Sequence, residues 1–223
     1  RPELADRLEQ MQEASSIALM EKRVPEELVL HTRYRQDGSA GNGFWENHQL
    51  DGFGTWLWAY ARHLERRGDS LARINASDEP APMRGDEEVV RKLAEYLSAF
   101  WKLPCYDLWE EFGDKVHFYT LAAVRAGLVG AGRLTRLSWA EEVQEIEDFI
   151  AASLVHRGHY AKFVGDTRVD ASMVGAFVPF GLADPRSELA QATVAKVRAE
   201  LLHGGGVHRY ADDSYYGGGL WIL

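Results

Sequence analysis

The chain has 223 residues, of which 46% are apolar and 11% aromatic, and its formal net charge is −9. This composition predicts a globular chain with a sizeable core, and the negative charge disfavours binding to nucleic acid or to an anionic membrane surface. The one cysteine, Cys105, excludes an intrachain disulfide and a multi-cysteine metal cluster. No apolar stretch approaches the ~20 residues of a membrane span, and no signal-peptide pattern is present, so we expect a cytoplasmic protein without a membrane partner.

The two ends of the chain predict that it is a piece of a larger domain. The sequence begins at Arg1 without a methionine and stops inside the apolar run 220–223. We therefore expect Leu220, Trp221 and Leu223 either to lie against another polypeptide segment or to leave apolar surface open.

Apolar residues recur at helical spacing in several blocks, for example at Val89, Leu93, Tyr96 and Phe100. The pattern predicts helices over 2–22, 50–67, 86–101, 117–132, 138–156, 170–177 and 186–203. No alternation is long enough for a sheet, and no close internal repeat is visible in the sequence. The predicted fold class is all-α, built from antiparallel helical hairpins, of which an α/α toroid is one closed form.

The loops between these helices are of two kinds. Segments 68–85 and 157–169 are polar and typical of surface connections. Segments 37–49, 102–116 and 204–223 instead combine glycine, carboxylates and aromatic residues, so we expect functional residues there.

The segment 104–112 contains three carboxylates among three aromatic residues: Asp107, Glu110 and Glu111 with Tyr106, Trp109 and Phe112. A carboxyl group beside apolar rings is more easily kept protonated, which suits the donation of a proton to a glycosidic oxygen. The alternative is that these acids begin a helix and that Trp109 belongs to the core. Spacing alone does not separate the two interpretations.

Two further segments suit the recognition of a sugar. Residues 41–54 combine Trp45, Gln49 and Asp51, whereas Trp56 and Trp58 on the following helix are better explained by packing. Residues 204–221 contain a second group: Arg209, Tyr210, Asp213 and Tyr215 lie between two glycine triplets, and Trp221 follows the second triplet. This segment lacks the Gly-Lys-Ser/Thr ending of a phosphate loop. His156 and His159 have no evident third metal ligand, which argues against a metal pair.

Several of these motifs occur in the order found in glycoside hydrolase family 15, the glucoamylase and glucodextranase family. Gln49-Leu50-Asp51-Gly52 resembles the start of a helix in that family, and Trp45 precedes it where the family has a sugar-stacking tryptophan. Tyr106 to Glu111 resembles the signature that contains the general acid. Val169 to Ser172 and Arg209 to Trp221 resemble two further family segments.

The resemblance implies an (α/α)6 barrel of twelve helices, of which residues 1–223 are roughly half of a single catalytic domain. It assigns Glu110 as the general acid, while the general base and an Arg-Asp pair that binds glucose lie outside this chain. It further implies that Asp107 and Glu111 contact sugar hydroxyls and that Arg209 and Asp213 flank the subsites. The remaining implied substrate-binding residues are Trp45, Gln49, Asp51, Trp109, Tyr210, Tyr215 and Trp221.

The activity implied by the resemblance is that of an inverting exo-acting hydrolase of α-glucosides. The expected substrates are short α-glucans or isomalto-oligosaccharides with α-1,6 or α-1,4 bonds. The alternatives are a trehalase of the same family and a non-catalytic sugar-binding or helical interaction domain. No metal or organic cofactor is implied, and the expected partners are a small oligosaccharide and the remainder of the same barrel.

Overall fold

The computed structural model describes residues 30–39, 41, 48–68, 86–135 and 137–221. The predicted helix 2–22 and the predicted site residue Trp45 lie outside these residues. The last residue of the apolar C-terminal run, Leu223, lies outside them as well.

Helices dominate the described residues, which confirms the predicted all-α fold class. In chain order they are α1 Asp51–Arg67, α2 Asp86–Phe100, α3 Phe118–Thr135, α4 Ala140–Ser153, α5 Val174–Phe177 and α6 Glu188–Leu201. Short 3-10 turns form at Ala171–Met173 and Tyr215–Gly217. The strands in the same residues are only two residues long: β1 Val155–His156, β2 His159–Tyr160, β3 Leu202–His203 and β4 Gly206–Val207.

The tightest helix contact is between α1 and α3, the helices that follow the first two candidate loops. A Cβ placed on Gly54 of α1 would lie 2.5 Å from the carbonyl oxygen of Ala123 on α3. A Cβ on Gly127 of α3 would in turn lie 2.7 Å from the backbone oxygen of Gly54. The two backbones can approach this closely only because both positions are glycine. The N-termini of both helices are therefore held in a fixed relation beside the candidate site.

Gly54→Ala should destabilise the protein by about 1–3 kcal/mol, because the added methyl group meets backbone atoms that cannot turn away. The measurement is the free energy of unfolding from urea denaturation. Gly52→Ala is the matched control, since Gly52 is exposed on the same helix and a Cβ there meets nothing within 4 Å. We expect that control to be neutral or slightly stabilising. Equal losses for both variants would contradict the close-packing argument.

Two predicted helices end earlier than expected, because a β-hairpin follows each of them. The predicted helices 138–156 and 186–203 stop at Ser153 and Leu201, and β1–β2 and β3–β4 follow. The two-residue turns have positive φ at both positions, 47° and 86° at Arg157 and Gly158, and 54° and 89° at Gly204 and Gly205. Turns of this kind match the twist of paired strands.

These two corners, residues 154–166 and 201–213, follow the same path and share a sequence pattern. The residues that correspond are Leu154 and Leu201, His156 and His203, Gly158 and Gly205, Lys162 and Arg209, Phe163 and Tyr210, and Asp166 and Asp213. In each corner the residue after the hairpin closes it, with Ala161 N–H donating to the Leu154 carbonyl and His208 N–H to the Leu201 carbonyl. The structure thus shows an internal repeat that was not recognised in the sequence.

None of the helices in the described residues combines the length and the apolar character that a membrane span requires.

Candidate active site

The carboxylate-rich segment predicted from the sequence is a compact loop between α2 and α3, residues 107–112, which we call the acid loop. The Asp107 N–H donates to the Glu111 carbonyl at 3.0 Å, and the Glu110 N–H donates to the Asp107 carbonyl at 2.9 Å. The side-chain Oδ1 of Asp107 accepts from the N–H groups of Trp109 and Glu111, at 2.9 and 3.0 Å. One carboxylate therefore closes the loop on itself, so these acids do not begin a helix.

Glu110 and Phe112 have left-handed backbones, with φ of 63° and 52°. This conformation is uncommon for residues other than glycine, and such residues cluster at active sites and ligand-binding sites. Glu110 is exposed on the surface of the described residues. This exposure differs from the apolar surroundings that its position among Tyr106, Trp109 and Phe112 suggested.

Asp107 faces the protein interior and is only 4% exposed. Its Oδ2 forms an ion pair with Nζ of Lys162 at 3.1 Å. The same ammonium lies 2.6 Å from Oδ2 of Asp170. The carboxylate of Asp107 thus contacts a buried cation and the backbone of its own loop.

The side chain of Trp109 is only partly buried, and a hydrogen bond from its indole nitrogen holds it in place. Its Nε1–H lies 3.0 Å from both carboxylate oxygens of Asp170. Asp170 also accepts from the Ser172 N–H at 2.8 Å, where it caps the 3-10 turn Ala171–Met173. The ring of Trp109 is therefore held in one orientation, next to Trp221 at a centroid distance of 6.0 Å.

Glu111 is held by the second corner. Its Oε2 accepts from the Tyr210 hydroxyl at 2.6 Å, and its Oε1 pairs with Nη2 of Arg209 at 3.2 Å. Arg209 is 2% exposed, and its Nε donates to Oδ2 of Asp213 at 2.8 Å. The hydrogen bond from Arg209 holds the pKa of Asp213 below its usual value. Burial and the neighbouring Glu111 raise the pKa of Tyr210, so its hydroxyl remains a donor.

Two further predicted aromatic residues, Tyr215 and Trp221, line the exposed side of the candidate site. Tyr215 and Trp221 are 48% and 46% exposed. The guanidinium of Arg209 lies 4.6 Å from the ring centroid of Tyr215 and 5.5 Å from that of Trp109. Trp221 is attached to the second corner by paired backbone hydrogen bonds with Val207, both of 2.8 Å. Exposed rings around a cluster of polar groups suit a sugar, which has an apolar ring face and hydroxyls at its edge.

Gln49 supports the acid loop from behind, and Asp51 is buried nearby at the start of α1. The Gln49 side-chain amide donates to the Asp107 carbonyl at 3.0 Å, and the Tyr106 N–H donates to the His48 carbonyl at 2.9 Å. Asp51 is 3% exposed, and burial raises its pKa to about 6. Burial lowers the pKa of His48 to about 4, so its ring is neutral at pH 7.

The raised pKa of Asp51 predicts a pH-dependent stability. The unfolded chain releases the proton near pH 3.8, whereas the folded protein keeps it to about pH 6. Stability therefore falls as the pH rises from about 4 to about 6. Asp51→Asn removes this ionisation, so the variant should not lose this stability. Between pH 4 and pH 7, the free energy of unfolding should therefore fall by up to about 3 kcal/mol less in Asp51→Asn than in the wild-type protein. Urea denaturation of both proteins at the two pH values measures this, and parallel pH profiles would contradict it.

Sequence reasoning missed Lys162 and gave Asp170 no role. Lys162 lies in the segment 157–169, which was predicted to be an ordinary surface connection, yet it is 3% exposed. The signal that could have found it is the repeat of the two corners, which aligns Lys162 with the predicted site residue Arg209.

Among the described residues there is no group of three potential metal ligands.

Comparison with known proteins places this geometry among glycosidases. The sequence model of the family described as "Glycosyl hydrolases family 15" matches residues 6–223. An isomaltose glucohydrolase of Kribbella flavida is 39% identical over 202 residues, which cover 87% of this chain and 49% of that protein. An uncharacterized glycosyl hydrolase of Methanocaldococcus jannaschii is 29% identical over 191 residues, which cover 78% of this chain and 29% of that protein.

Solved structures give the same result. A wild-type glycosidase superimposes with a TM-score of 0.77 at 36% identity, over 95% of this chain and 56% of that one. A variant described as a glycosidase in complex with glucose matches with the same values. The chain thus spans about half the length of the Kribbella protein and of the solved glycosidase. These similarities confirm the predicted fold, which is part of an (α/α)6 barrel.

Proposed function

The chain belongs to glycosyl hydrolase family 15, and on that basis we propose that it is about half of the catalytic domain of an inverting, exo-acting α-glucoside hydrolase. The proposed reaction releases glucose from the non-reducing end of isomalto-oligosaccharides or other short α-glucans. The preference for α-1,6 bonds is supported by the similarity to an isomaltose glucohydrolase. The general base belongs to the other half of the domain.

The observation on which this proposal rests is the acid loop and the way in which its neighbours hold it. Asp107 closes the loop, Glu111 is bound by Arg209 and Tyr210, and Glu110 is left exposed. Of the three carboxylates, only Glu110 is therefore free of the hydrogen bonds that the loop needs for its shape. A general acid must reach the leaving oxygen of the substrate, and an exposed side chain on a fixed loop can do so.

In an inverting glycosidase, one carboxylic acid protonates the leaving oxygen while a second carboxylate activates water on the opposite face of the sugar. Glu110 is the proposed acid. Trp109, Trp221 and Tyr215 provide aromatic surface for the glucose rings, and Glu111 with Arg209 provides polar partners for hydroxyls. Asp107 and Gln49 act mainly by supporting the loop.

The experiment that tests the proposal is the release of glucose from maltose, isomaltose and trehalose by the protein that contains the complete domain. Proton NMR identifies the first anomer formed. β-Glucose from isomaltose supports an inverting α-1,6 hydrolase, whereas α-glucose contradicts inversion. Hydrolysis of trehalose alone would make the protein a trehalase, and the absence of hydrolysis with sugar binding retained would make it a binding domain.

A further inference from the structure

Lys162 is a buried lysine beside the acid loop, and the proposed reaction assigns it no role. Its side chain is 3% exposed, so it cannot contact a sugar. Its Nζ lies 3.1 Å from Asp107 and 2.6 Å from Asp170. One ammonium group therefore serves two carboxylates that are themselves almost completely buried, at 4% and 2% exposure.

The position of Lys162 in the first corner corresponds to that of Arg209 in the second. The Lys162 carbonyl accepts from the N–H of Phe118, the first residue of α3. The Arg209 carbonyl accepts from the N–H of Ala171, the first residue of the 3-10 turn Ala171–Met173. Each corner thus contributes one buried cation, anchored through its backbone to the start of a helical element, and each cation pairs with one carboxylate of the acid loop.

Lys162 acts on the acid loop from two directions. Through Asp107 it holds the carboxylate that accepts from the backbone of Trp109 and Glu111, the residues on either side of Glu110. Through Asp170 it holds the carboxylate that fixes the Trp109 indole. The contacts that determine the direction of Glu110 therefore converge on one ammonium group.

Aromatic rings cover the same ammonium. Nζ of Lys162 lies 3.7 Å from the ring centroid of Tyr210 and 4.7 Å from that of Phe112. Tyr210 in turn donates its hydroxyl to Glu111. A cation over aromatic faces is stabilised by their quadrupoles, which partly compensates for its burial. Lys162 consequently connects the side of the loop at Asp107 with the side at Glu111.

The charges make this arrangement depend on Lys162. A buried carboxylate without a cationic or hydrogen-bonding partner is costly, and two adjacent carboxylates also repel each other. Without the ammonium, Asp107 and Asp170 would separate or turn toward water, and both movements would displace the acid loop.

We propose that Lys162 is a positioning residue for the general acid: its shared ion pair with Asp107 and Asp170 sets the direction in which the acid loop presents Glu110. This inference rests on the proposed function, since it concerns the acid of that reaction. It predicts a defect in proton donation to the leaving group, with little change in the affinity for substrate.

The test is Lys162→Met in the protein with the complete domain, because methionine keeps much of the apolar stem and removes the charge. We expect kcat on isomaltose to fall about 10- to 100-fold, as for a displaced catalytic group, while KM changes less than about 3-fold. The rate on α-glucosyl fluoride, whose leaving group needs little protonation, should be reduced much less. A general loss of structure would reduce both rates alike.

A second variant keeps the test decisive if Lys162→Met alone folds poorly. Adding Asp170→Asn removes one of the two facing charges and supplies an amide donor for Asp107, so Lys162→Met/Asp170→Asn should recover part of the isomaltose rate. Lys196→Met is the matched control, since Lys196 forms a surface ion pair with Glu200 on α6, and it should leave kcat unchanged.

An unchanged kcat in folded Lys162→Met overturns the inference, as does a loss that appears only in KM or equally on the fluoride. If the wild-type protein hydrolyses isomaltose and Glu110→Gln impairs it while Lys162→Met does not, only the inference about Lys162 is wrong. A wild-type protein that hydrolyses none of the three disaccharides would instead overturn the proposed function.

Discussion

Replacing Glu110 with glutamine should lower kcat on isomaltose roughly 10²- to 10⁴-fold while KM changes little. Glutamine keeps the shape and the hydrogen-bonding reach of the side chain but cannot donate the proton that the leaving oxygen needs. The backbone of the acid loop should be unaffected, because its hydrogen bonds are formed by backbone groups and by the Asp107 carboxylate, not by the Glu110 side chain. Steady-state kinetics of the protein with the complete domain measures both constants.

A substrate that needs no protonation separates acid catalysis from other causes of this loss. α-Glucosyl fluoride should recover most of the rate of Glu110→Gln, since fluoride leaves without help from an acid. Glu141→Gln, at an exposed position of α4, is the control for removing a negative charge and should behave as wild type. Wild-type turnover of isomaltose by Glu110→Gln would make Glu111 or Asp107 the next candidate.

Glu111→Gln should act more on substrate binding than on the chemical step. Its carboxylate is already engaged by Arg209 and Tyr210, so it is better placed to orient a hydroxyl than to deliver a proton. We expect a larger rise in KM than in the case of Glu110→Gln, and the comparison of the two variants distinguishes their roles.

Arg209→Met should reduce the free energy of unfolding by about 3–5 kcal/mol and also weaken the binding of substrate. Removing the guanidinium leaves the buried carboxylate of Asp213 without its cation, with the Tyr215 N–H as a remaining donor, and takes one of two partners from Glu111. The rings of Trp109 and Tyr215 would also lose the Arg209 guanidinium as a neighbour. Urea denaturation measures the stability, and KM for isomaltose measures the effect on binding.

Arg186→Met is the control for Arg209→Met, because Arg186 pairs with Asp184 at a side-chain exposure of 90%. Exposed ion pairs contribute little to stability, so this control should stay within about 0.5 kcal/mol of wild type. A loss for Arg209→Met no larger than that of Arg186→Met would show that the buried ion pair is not needed for folding.

The positions of the helices and the order of the candidate loops could be predicted from the sequence. Helical periodicity is a local property, and it placed α1, α2, α3 and α6 to within a few residues of where the structure has them. Two helices were predicted to end too late, at His156 and His203. The chain leaves each helix earlier to form a hairpin, whose turn has positive φ angles at the two residues after the histidine.

The sequence by itself also determined which loop contains the acidic and aromatic residues, and its resemblance to the family implied Glu110 as the candidate acid. It did not determine what each carboxylate does, because adjacent residues of a loop can face opposite directions. Only the tertiary structure turned Asp107 inward to Lys162, placed Glu111 against Arg209 and Tyr210, and left Glu110 exposed. Those partners come from corners far along the chain, and the pairing of Lys162 with two carboxylates exists only after folding brings all three residues together.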